Sequence, residues 1–131
     1  MKRASTIVAA LWLVAAIGCA GLADLGKKEA YHDITKAYAS SMRWSDFDTA
    51  TVFVHQPDIP SLEALKNIKI TTYEAKHQLV IQEGLRVRQI ASIAYFKKSD
   101  MLLRTVSVEE IWEFDPKDEQ WYLVKGFPDF K

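Results

Sequence analysis

One cysteine, five glycines, four prolines and a balance of 17 basic against 17 acidic residues define this 131-residue chain by what it lacks. A single cysteine excludes an internal disulfide and a multi-cysteine metal cluster. So few glycines leave no Gly-rich loop to cradle a phosphate. A zero formal charge argues against the basic stripe that nucleic acid requires. The three histidines, His32, His55 and His77, are too far apart for the four-residue spacing of a helical zinc pair. No serine sits in a nucleophile-elbow context. No internal repeat or low-complexity tract is present, so a solenoid is excluded. No cofactor and no metal are expected from these patterns.

Four Trp, five Tyr and six Phe supply large buried areas and make a core without disulfides feasible. The chain opens with Lys2 and Arg3, then an apolar run from Ile7 to Ile17, then Gly18-Cys19-Ala20. A basic tip, an apolar stretch and small residues form an export signal. Ala16-Ile17-Gly18-Cys19 resembles the lipobox of bacterial lipoproteins. That resemblance implies cleavage before Cys19 and acylation of its sulfur, with residues 1–18 as signal peptide and 19–131 as one mature domain. Two alternatives remain: Ala4 to Ala23 as an uncleaved span of uncharged residues, or an ordinary signal with an incidental cysteine. All three keep Lys2 and Arg3 on the cytoplasmic side and export the chain beyond residue 23. In the lipoprotein case Ala20 stands directly after the cysteine in place of Asp, which implies delivery to the periplasmic face of the outer membrane. The membrane is then a partner through Cys19. Without Lys2 and Arg3 the chain has 15 basic and 17 acidic residues, a net charge of −2.

Tyr31, Ile34, Tyr38 and Met42 recur at three- and four-residue spacing and predict a helix from Leu25 to Met42, with Asp24 as N-cap. Ser45-Asp46-Phe47-Asp48 reads as a second helix start, a variant capping box with Phe47, Ala50 and Val54 inward. The β-branched run Thr49 to Val54 also fits a strand. Pro57 and Pro60 predict a loop, and Ser61 a capped turn through Lys66. From Ile68 the period changes to two. Ile68–Gln82, Leu85–Lys97, Met101–Asp115 and Gln120–Phe127 read as strands, joined by turns at Glu83-Gly84, Lys98–Asp100 and Pro116–Glu119. Connections this short force antiparallel neighbours. The expected fold class is α+β, N-terminal helices packed on a long-stranded curved antiparallel sheet.

This order, together with the ending TVSVEEIWEFDPKDEQWYLVKGFPDF, resembles the NTF2-like (cystatin-like) cone fold from about Asp24 to Phe130. It is also similar to small proteobacterial lipoproteins carrying such a domain. The resemblance implies a concave sheet face closed by helices, enclosing a ligand pocket or a plain core. Ketosteroid isomerases and dehydratases of that superfamily use the cone as an active site.

Strand parity places Tyr73, Ala75, His77, Leu79 and Ile81 on the inward face of the first strand. Leu85, Val87, Gln89, Ala91, Ile93 and Tyr95 take that place on the second, and Val106, Val108, Glu110, Trp112 and Phe114 on the third. His77, Gln89 and Glu110 are the polar exceptions and the candidate ligand-binding residues. Brought together, a His–carboxylate pair supplies a general base. The plainer reading makes them side chains at a solvent-open rim, or displaced from this face where a bulge shifts the parity, and no residue is assigned as catalytic. Glu109, Glu110 and Glu113 opposite Arg86, Arg88 and Arg104 also fit cross-strand charge pairs. His32-Asp33 reads as a solvated helix face, and His55 and Asp58 flank the proline loop, where a metal would need further ligands. Three functions are compatible with these residues. The first is a non-catalytic lipid-anchored domain binding an envelope protein or an apolar small molecule. Trp112, Trp121, Tyr122, Phe127 and Phe130 motivate it as interface aromatics, with membership of the core as the equal alternative. The others are a small isomerase- or dehydratase-like enzyme using His77 and Glu110, and a structural tether.

Overall fold

The computed structural model describes residues 15–80 and 85–131, with side chains from Gly26 onward except His77. The apolar run up to residue 14 and the Glu83-Gly84 turn lie outside the described residues.

Helix α1 spans Ala15–Arg43. It lays Tyr31, Tyr38 and Met42 into the core, with Ile34 partly buried beside them. The helix does not start at Leu25, so Asp24 lies inside it and not at the N-cap position. The alanine-rich sequence upstream carries no breaker strong enough to stop it. Its C-terminus is closed in the Schellman manner: the Ser45 N–H donates to Met42 O and the Asp46 N–H to Ser41 O, at 3.0 and 2.8 Å. Ser45 takes the left-handed position that glycine usually fills, with φ 56°. Its hydroxyl oxygen accepts the Ile70 N–H at 2.8 Å, a bond that glycine does not offer.

Because Ser45 ends α1, the cap of α2 (Phe47–Ala50) moves one residue on. Asp46 accepts from the Thr49 N–H and hydroxyl. A 3-10 turn, Thr51–Phe53, comes next, so the strand alternative for Thr49–Val54 is not realised. Ser61 caps α3 (Leu62–Leu65) as expected, accepting the Ala64 N–H at 3.1 Å.

Four strands form one antiparallel meander in the order β1-β2-β3-β4: Ile68–Val80, Arg86–Lys97, Leu103–Asp115 and Gln120–Lys125. β2 and β3 pair without interruption from Arg86↔Glu113 to Phe96↔Leu103. β1 is less regular, with register shifts between Ile70 and Thr72 and between Lys76 and Leu79. The helices cover the sheet face that carries Tyr73, Val87, Ala91, Ile93, Tyr95, Trp112, Trp121 and Leu123.

Three sequence expectations fail here. Ala75 and Leu79 are exposed, Leu79 by 58%. Past Tyr73 every described side chain of β1 faces solvent, so strand parity has no core to point at. β4 stops at Lys125 and not at Phe127. Gly126 adopts φ 106°, and a Cβ there would sit 2.4 Å from Glu109 O. The chain turns inward at that close approach and tucks Phe127 and Phe130 against Phe47 and Tyr95. The C-terminal aromatics are therefore core and not a partner surface. Trp112 and Trp121 are sealed, Phe127 and Phe130 are buried, and half-buried Tyr122 stacks on His55.

Candidate functional site

Even-numbered residues of β3 face α1, which carries Glu110 into the centre of the molecule between partly buried Val108 and fully buried Trp112. On β2 the odd-numbered residues turn inward, Gln89 among them, and Gln89 is paired with Glu110 in register. Two of the three predicted polar residues thus meet. Gln89 Nε2 donates to Glu110 Oε1 at 2.6 Å. The third, His77, belongs to β1, and its side chain lies outside the described residues.

Two further donors converge on the same carboxyl group. The Tyr73 hydroxyl donates to Oε2 at 2.6 Å, and Trp112 Nε1 donates to Oε1 at 3.2 Å. Tyr31 donates to Gln89 Oε1 at 2.7 Å, which leaves the Gln89 amino group to face Glu110. Tyr38 closes the cage edge-on to Tyr73 and Trp112, with ring centroids 5.9 and 5.3 Å away. Its buried hydroxyl has no protein partner among the described residues. Sequence reading missed the three tyrosines as parts of this network. Their helical and strand spacing marked them only as apolar, since a phenol carries both a ring for the core and a donor for a buried acceptor.

Two effects oppose each other at Glu110. Burial penalises the charged form and pushes the carboxyl above its usual range, while the three donors pull it down, and burial wins. The hydroxyls of Tyr31, Tyr38 and Tyr73 are pushed up, first by burial and then by the charge of Glu110. They remain neutral donors at any ordinary pH. A carboxyl with a raised pKa among neutral donors is the kind of group that general acid–base chemistry uses. Access is the missing requirement: Glu110 is 0% and Gln89 1% exposed.

The charge-pair reading splits. Arg88 meets Glu109 at 3.1 Å and Arg86 meets Glu113 at 3.4 Å on the outer face. Glu110 has no arginine, and Arg104 pairs with Asp100 instead. No cluster of three potential metal ligands exists among the described residues, and His55 and Asp58 do not join one. A groove of about 490 Å³ at the far end of α1, between Trp44, Asp46, Leu62, Ile68 and Lys98, contains none of the predicted site residues. Cys19 falls in α1, and its side chain lies outside the described residues. Among the described residues no helix is long and apolar enough to cross a membrane.

No protein-family model and no curated protein matches this sequence. One solved structure does share its shape, that of a proposed polyketide cyclase from Xanthomonas campestris pv. campestris. The match has a TM-score of 0.50 at 11% identity, covering 78% of this chain and 93% of the other. At that identity the likeness establishes the fold alone: an α+β domain whose helices pack on a curved antiparallel sheet, as in the NTF2-like cone.

Proposed function

We propose that the chain is an exported, lipid-anchored envelope domain without catalytic activity, acting on a protein partner through its outer surface. The observation that carries this reading is the sealed centre of the cone. Glu110 and Gln89 are closed off by Tyr31, Tyr38, Tyr73 and Trp112, so this constellation of described residues in the core is spent on structure. A reactant has to come within hydrogen-bond reach of such a group, and none of its surface is open. The same closure counts against an apolar small molecule inside the cone. The address rests on sequence: Lys2 and Arg3, the Ile7–Ile17 run and Cys19, with Ala20 favouring the outer membrane. Two or more acyl chains hold a protein on a leaflet far more firmly than one.

Metabolic labelling with a radioactive fatty acid tests the anchor. The wild-type chain takes up label and fractionates with the outer membrane, while Cys19→Ser takes up none. Label on Cys19→Ser, or an unlabelled wild-type chain, refutes it.

The enzyme reading draws on the raised pKa of Glu110 and on the cyclase assignment of the structural neighbour. It requires the tyrosine cage to open. Hydrogen exchange of the Trp112 indole N–H tests it: exchange only at a level close to global unfolding would refute such opening, and faster exchange would support it.

A further inference from the structure

The two outer strands of the sheet, β1 and β4, are partly protected at their edges. On β1 the Ile70 N–H is taken by Ser45 and the Tyr73 carbonyl by Arg43 Nε at 3.1 Å. That strand also carries two register shifts and the exposed charges of Glu74 and Lys76. On β4 the outer side is met by Val54, which bridges to Leu123, and by the His55 N–H, which donates to Leu123 O at 2.8 Å. Bulges, charges and covering segments are the usual means of protecting an edge from pairing with another chain.

Among the described residues the N-terminal half of β3 has no bulge and no covering segment, and its one charge, Arg104, is held by Asp100 of its own chain. β4 pairs only with Ile111–Asp115, and the tail leaves the edge at Gly126, beside Glu109. The pairing with β2 is unbroken, and the Phe114 N–H donates to Leu85 O at 2.9 Å. Even-numbered residues of β3 therefore turn their backbone groups toward β2. Leu103, Thr105 and Ser107 turn theirs outward, where no described backbone group pairs with them. All three side chains are exposed, and Leu103 continues an apolar stretch with Met101 and Leu102, each 61–69% exposed.

We propose that this free edge, Leu103–Ser107, is a self-association surface at which two copies of the chain pair antiparallel about Thr105, joining their sheets edge to edge. The length of the opening selects the register. With the two-fold axis at Thr105, Leu103 faces Ser107 of the second copy and the two threonines face each other. Each of these pairs exchanges two N–H···O=C bonds. Shifting the axis to residue 107 drives Leu103 against the stretch that β4 already covers. Charge permits the chosen register. Arg104, the one charged residue of the edge, is held by Asp100 of its own chain and comes opposite Val106. A Thr–Thr pair at the centre is a favourable cross-strand neighbour. The contact is isologous, so it closes as a dimer and does not propagate into a fibre. It does not depend on the anchor reading, although confinement to a leaflet raises the effective concentration.

The test uses the full chain in detergent, with protein mass measured by multi-angle light scattering. The wild-type complex has twice the mass of one chain. Thr105→Pro removes an N–H that no bond inside the chain uses and weakens dimerisation at least tenfold. Thr105→Lys places like charges on the axis and does the same, less so in high salt. Thr105→Lys carries the test if the proline variant loses its far-ultraviolet circular dichroism. Thr105→Cys forms a disulfide-linked dimer on mild oxidation, because paired Cα atoms about 5.5 Å apart suit a disulfide. Glu74→Cys on the opposite edge does not. A monomeric wild type, a dimer unmoved by Thr105→Lys, or equal cross-linking at positions 105 and 74 overturns the proposal. Pairing of this edge only with a strand of a different protein overturns it equally.

Discussion

Replacing Glu110 by alanine leaves three buried donors facing an empty space: the Tyr73 hydroxyl, the Gln89 amino group and the Trp112 indole N–H. A buried donor without a partner costs about 1–3 kcal/mol, so three of them cost on the order of 3–9 kcal/mol before any cavity is counted. A domain of this size has about 5–15 kcal/mol in total, so Glu110→Ala is expected to be barely folded or unfolded at 25 °C. Glu110→Gln behaves differently. Its carbonyl oxygen accepts from Gln89 and Trp112, and its amino group donates to the Tyr73 oxygen. Above the folded pKa of Glu110 it also spares the chain a buried charge. The sign of its pH dependence comes from burial. The folded carboxyl titrates above its usual value of 4.5, so the unfolded chain releases its proton first as pH rises. The wild-type contribution from Glu110 is full below that usual value and is lost as pH climbs through the folded pKa. Urea unfolding of wild type and Glu110→Gln from pH 4 to pH 8 isolates this one group, since the other carboxylates are common to both. The variant gains relative to wild type as pH rises. A stability difference that is flat or falls with pH refutes the reasoning, as does an alanine variant within about 1 kcal/mol of wild type.

Two backbone predictions accompany it. Gly126→Ala sets a methyl against Glu109 O and Glu110 Cα, where a Cβ would lie at 2.4 and 2.7 Å, at a φ that L residues rarely adopt. It is expected to cost more than about 2 kcal/mol, read as a drop in thermal midpoint. A midpoint within 2 °C of wild type would show that the tail turns elsewhere. Ser45→Ala keeps the left-handed backbone and removes the acceptor of the Ile70 N–H, costing about 1–2 kcal/mol. Ser45→Gly loses the same bond but relieves the φ of 56°, so its loss is smaller. Equal losses in the two variants would contradict the left-handed cap.

The period-two pattern of β2 and β3 was legible because each has one face on the core along most of its length. Val87, Gln89, Ala91, Ile93 and Tyr95 alternate as expected, and the same reading placed Gln89 and Glu110 inside. β1 misled because its far half has no helix over it, and alternation of side chains does not say where a cover ends. The C-terminal aromatics misled for a related reason. Phe127 and Phe130 are buried by a tail that folds back beneath the sheet, and no local period marks such a turn. The capping residue of α2 was missed by one position because Ser45 was already engaged with β1.

Local chemistry within the sequence determined the elements, their antiparallel order and the inward parity of two polar residues, since side-chain period and turn length are short-range properties. The proposed export address also rests on contiguous residues. The tertiary structure decided how those elements close on one another. It converted three tyrosines and a tryptophan from simple hydrophobes into a shell around one acid, and left the Leu103–Ser107 edge of β3 unpaired among the described residues. Both outcomes depend on which surfaces meet across the fold, and contacts between residues dozens of positions apart leave no period to read.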